Sequence, residues 1–87
     1  MADDVNGLSD KALSIFAFAA YHRLVSGERV TSVIRRDGAG HEADPEGVTE
    51  LAGRGLVTAG EAQIDLGETA QQTVEAMVEA LRRTVGR

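Results

Sequence analysis

The sequence has no cysteine and no tryptophan. Without cysteine there are no disulfides and no thiolate metal sites, and a reducing cytoplasm is the compatible compartment. Histidine is scarce too, with only His22 and His41. A metal centre needs three or four converging ligands, and this pair lacks the helical two-His spacing, so no metal is expected. Asp37, Glu42 and Asp44 flank a glycine-rich loop but do not give the alternating oxygen ligands of a calcium loop. Apolar runs are short; none nears the ~20 residues that cross a bilayer. No charged-then-apolar leader opens the chain, so no export is expected. Nine bases face fourteen acids, for a net charge of −5. That balance disfavours nonspecific attraction to nucleic acid or to an anionic membrane.

Catalytic patterns are missing as well. No Ser/His/acid arrangement stands out, and no enzyme is expected. Gly53-Arg54-Gly55 begins like a dinucleotide fingerprint, but Thr58 stands where the third glycine belongs, and the motif follows a helix pattern. No cofactor is expected.

What is present is enough for one domain over the 87 residues. A chain this long buries roughly 60% of its unfolded surface, so it needs no staples. Its centre is the stretch 13–21, which holds every aromatic residue: Phe16, Phe18 and Tyr21. As a helix this stretch turns apolar groups in all directions, which predicts burial on every side. Residues 1–7 read as a frayed terminus. Ser9 suits the N-cap and Asp10 the first turn, so the central helix spans 9–26 and stops at Gly27.

Segment 29–36 is ambiguous. Val30, Val33 and Ile34 fit helical spacing, whereas Val30, Ser32 and Ile34 fit strand alternation. The favoured reading is a stub at 29–30 and a short helix over 32–37, ended by Gly38 and Gly40. Asp44-Pro45-Glu46 then starts a helix over 45–54. Gly47 weakens it by about 1 kcal/mol relative to alanine. Residues 55–66 read as a hairpin turning at Gly60-Glu61, with Val57 opposite Ile64. Thr69 and Gln72 form a capping box for a long helix over 69–85. Its stripe is Ala70, Val74, Met77, Val78, Leu81 and Val85, with Glu79 and Arg83 as an i, i+4 pair. The expected fold class is mainly α with a small β-hairpin.

This order resembles the winged helix-turn-helix fold of bacterial regulators. The resemblance rests on Gly27-Glu28-Arg29-Val30-Thr31, on Leu51-Ala52-Gly53-Arg54-Gly55-Leu56-Val57, and on Ile64-Asp65-Leu66-Gly67-Glu68-Thr69-Ala70. It covers residues 8–85 and implies a recognition helix at 45–54 and a wing at 55–66. It also implies one candidate function, a DNA-binding transcriptional regulator.

Charge ranks that function second. Between Glu28 and Glu61 there are seven acids and four bases. Glu46 and Glu50 are the expected outward residues of the 45–54 helix, and the wing tip is Gly60-Glu61. Arg35 and Arg36, with Arg54, are the best candidates for meeting phosphates or an acidic partner. The first expectation is therefore a cytoplasmic, regulatory protein-binding module on a winged-helix-like scaffold. Its partner is another protein or a second copy. Met77, Leu81 and Val85, at the far end of the last helix, are the candidate dimer contact, because the short neighbouring elements leave them uncovered.

Overall fold

Ser9 starts the first helix, α1 (Asp10–Ser26), in a computed structural model that describes residues 5–87. The Ser9 hydroxyl accepts the Ala12 N–H at 3.2 Å. At the other end Gly27 takes the left-handed conformation, φ 77°, and its N–H donates to the Arg23 carbonyl at 3.0 Å. Both caps are those the sequence predicts. The expected frayed terminus falls partly outside the described residues, at 1–4. Of the remainder, Val5 packs on the core and the Asn6 carbonyl accepts Arg54 Nη1 at 2.6 Å, so 5–6 are tied down.

The next element corrects the sequence reading. Residues 32–34 are not a helix but a strand, β1 (Ser32–Ile34). Val33 is buried while its neighbours are not. The chain here is rich in β-branched residues, Val30, Thr31, Val33 and Ile34, which suit a pleated surface better than a helix. The deciding factor is remote. A strand 30 residues later offers an open edge, and β1 pairs antiparallel with it, Val33 opposite Ile64.

Asp44 and Pro45 begin α2 (Pro45–Gly53) as expected: Asp44 Oδ1 accepts the N–H groups of Glu46 and Gly47. After it come β2 (Val57–Ala59), β3 (Gln63–Leu66) and α3 (Glu68–Thr84). The sheet order is β1-β3-β2, all antiparallel. Its hairpin register differs from the expected one by two residues. Val57 faces Leu66, Ala59 faces Ile64, and the loop is Glu61-Ala62, closed by the Gly60 N–H on the Gln63 carbonyl at 2.8 Å. A slip of two keeps every side chain on its own face, so Val57, Ile64 and Leu66 still point inward.

At the start of α3 the capping box does not form. Gly67 is the N-cap, and Gln72 instead reaches Glu68 Oε2 at 3.2 Å. Farther along, Glu79 pairs with Arg82 at 2.6 Å rather than with Arg83. The core lies between the inner face of the sheet and the three helices, around Phe16, Leu51, Leu56, Ile64, Val74 and Val78. Among the described residues the result is three helices and a three-stranded antiparallel sheet.

Candidate functional site

The three arginines that the sequence singles out serve three different places. Arg35 Nη1 donates to the Gly60 carbonyl at 2.9 Å, at the hairpin turn. Arg36 meets Glu42 at 3.7 Å across the loop that leads to α2. Arg54, at the end of α2, holds the Asn6 carbonyl and lies 3.9 Å from Glu50. All three head groups are engaged within the chain.

α2 itself carries no cation. Its acids turn toward α1. Glu46 pairs with Lys11 at 3.0 Å and raises the lysine pKa above its ordinary value. Glu50, expected to point outward, accepts the Ser9 N–H at 3.0 Å and the Ser9 hydroxyl. Those two hydrogen bonds, with Arg54 nearby, hold its carboxyl below the ordinary range. A helix so placed offers carboxylate and backbone to an approaching phosphate, not charge of the right sign.

The histidines gather on Phe18. His41 stacks on its ring, with centroids 4.4 Å apart and planes at 21°, and His22 meets it edge-on at 4.5 Å. His41 Nε2 lies 3.2 Å from the Ile34 carbonyl, a donor when it carries the proton. Asp37 holds the same loop from inside: its Oδ1 accepts the Ala39 and His41 N–H groups, which lowers the Asp37 pKa. These contacts dock the 37–43 loop against α1. Among the described residues no group of three or more His, Asp or Glu side chains converges as metal ligands.

A concave surface lies elsewhere, between α1 and α3. It is an open groove of about 480 Å³, lined by Ala17, Ala20, Tyr21, Leu24 from α1 and Met77, Ala80, Leu81, Thr84 from α3. Tyr21 is 58% exposed, Leu24 44% and Leu81 51%. Of the expected contact residues, Met77 and Leu81 line this groove, and Val85 stands beyond it, 71% exposed, at the C-cap of α3.

The α1 wall of this groove corrects the burial on every side expected of the 13–21 stretch. α1 is buried along Ala12, Ile15, Phe16, Ala19 and Ala20 and open along Leu13, Ala17, Tyr21 and Leu24. The usable signal was a second stripe. Leu13, Ala17, Ala20 and Leu24 fall at i, i+4, i+7 and i+11, the alternating spacing of a helix–helix seam.

No described helix is long and apolar enough to cross a membrane. The chain matches no family model, no curated protein and no solved structure.

Proposed function

We propose that this chain is a small regulatory protein-binding module of the cytoplasm, on a winged-helix-like scaffold, and that the α1–α3 groove is its contact surface. The observation that carries this reading is the concentration of exposed apolar side chains. Of seven large hydrophobics exposed among the described residues, six lie on α1, α3 or the α3 C-cap: Leu13, Tyr21, Leu24, Val25, Leu81 and Val85. Three of them, Tyr21, Leu24 and Leu81, line the one groove, and exposed apolar side chains gathered in one place on a small domain mark a contact site. The scaffold reading is supported by the order α-β-α-β-β-α and by a hairpin that lies between α2 and α3 and forms the middle and one edge of the sheet.

A nucleic-acid role would need a basic, accessible face. Here α2 has no base, the hairpin turn has Glu61, and Arg35, Arg36 and Arg54 are engaged internally.

A photo-crosslinking amino acid placed at Tyr21 in the native host tests the reading. Protein adducts at Tyr21, absent when the same group is placed at Thr58 on the sheet, are the expected result. No protein adduct at Tyr21, together with salt-sensitive retardation of mixed DNA fragments by the purified chain, would replace this function with the DNA-binding one.

A further inference from the structure

We infer that residues 37–43 are a strap that opens as a unit, away from α1 and β1, while the three helices and the sheet stay folded. The strap lies on the β1 side of α1 and shares no residue with the α1–α3 groove.

Its attachment is the first argument. No residue from 35 to 46 is buried. The strap holds the body through few contacts. His41 stacks on Phe18, and its Nε2 meets the Ile34 carbonyl. Ala43 packs partly on the core, and its N–H donates to the Arg35 carbonyl at 2.8 Å. The Arg36–Glu42 pair adds little, because both side chains are more than half exposed. Packing between strap and body is also incomplete. A cavity of about 230 Å³ remains, lined by Ile15, Phe18 and Val33 from the body and by His41 to Asp44 from the strap. Segments with so few buried contacts open at a small part of the global unfolding free energy.

Its internal bonds are the second, since they make the strap one piece. Asp37 Oδ1 accepts the Ala39 and His41 N–H groups, and the Asp37 N–H donates to the His41 carbonyl at 3.3 Å. The closed turn also holds Gly38 at φ 73° and Gly40 at φ 110°. An L-residue is strained there, although a Cβ at either position would meet nothing within 4 Å. Closure therefore depends on backbone conformation and on the Asp37 clasp, and either can be changed without touching the core.

Opening bares two things together. Phe18 loses its His41 cover, and the Ile34 and Arg35 carbonyls lose their donors. Thr31 and Arg35 bond to β3, so the alternate residues Ser32 and Ile34 already turn their backbone groups outward. The outer edge of β1 is then open from Ser32 to Arg35, beside an uncovered aromatic ring. An edge in that state accepts an extended chain, and the closed strap withholds it.

Amide hydrogen exchange followed by NMR decides it. Corrected for intrinsic rates, the Asp37, His41 and Ala43 amides should exchange together, and much faster than those of Ile64 and Val74 in the core. Gly40→Ala and Asp37→Ala should each speed these three by about tenfold, the first by straining the closed turn and the second by removing its clasp. Ile64 and Val74 should keep their wild-type rates in both variants. The His41 ring protons, which the face of Phe18 shifts in the closed form, should move toward the positions of a free histidine. Strap amides that exchange in step with the core overturn the inference. So do variants that leave the three amides at wild-type rates, or that speed Ile64 and Val74 equally.

Discussion

Glu50 caps the helix that begins at Ser9, from 41 residues away. A capping box ordinarily uses an acid or amide at the third helical position to reach back to the N-cap N–H. In α1 that position is Ala12, which has nothing to reach with. Glu50, on α2, takes over the task, and Ser9 still satisfies the Ala12 N–H. Local helix termination and the packing of α1 on α2 thus share one hydrogen-bonded pair.

Ser9→Ala should cost about 1 kcal/mol in a urea melt, the ordinary value of a lost N-cap. Glu50→Gln should lower the melting temperature at neutral pH. The folded-state pKa of Glu50 is depressed from 4.5, so its contribution is present above that value and disappears as pH falls through the lowered folded value. The gap between wild type and Glu50→Gln should therefore narrow on acidification. A gap that stays constant down to the acid transition would show that Glu50 acts by packing alone.

Gly47→Ala sets two effects of opposite sign against each other. Alanine in a helix interior gains about 1 kcal/mol over glycine. A Cβ at this position, however, would lie 2.5 Å from the Lys11 carbonyl oxygen and 2.8 Å from its carbon. Backbone cannot swing aside, and forced overpacking costs about 1–3 kcal/mol. Net destabilisation is expected, with α1 and α2 pushed apart. An increase in the urea midpoint would mean that the two helices yield freely.

Phe16 and Tyr21 should separate the core from the groove. Phe16 is fully buried, and Phe16→Ala should cost about 3–5 kcal/mol, enough to endanger a small domain. Tyr21 stands out in the groove. Tyr21→Ala should change the stability of the single chain by no more than about 0.5 kcal/mol in a urea melt. Comparable losses for both residues would place Tyr21 in the core.

The parts that could be read in the sequence are those whose signals are local. Ser9, Gly27 and the Asp44-Pro45 pair mark helix ends by their own chemistry, and α1, α2 and α3 lie within a residue or two of their expected bounds. β1 could not be read so, because three residues with apolar groups at both spacings take their state from β3, far along the chain. The two-residue slip in the hairpin escaped detection because it leaves every face unchanged. For the groove, the α3 half was visible as a stripe longer than its neighbours could cover. The α1 half was hidden, since a helix apolar all round does not say which side stays open.

The sheet order β1-β3-β2 also sets a sequence of events in time. β3 is the middle strand, and it reaches β2 through a two-residue loop. β1 must close a loop of about 30 residues to reach the same strand, a larger entropic cost before any hydrogen bond forms. Loop closure alone therefore favours the hairpin as the template, with β1 joining it after. Until it does, the free edge of β3 is open to any extended chain, so the interval before β1 docks is the one in which a nascent copy is most exposed to mispairing.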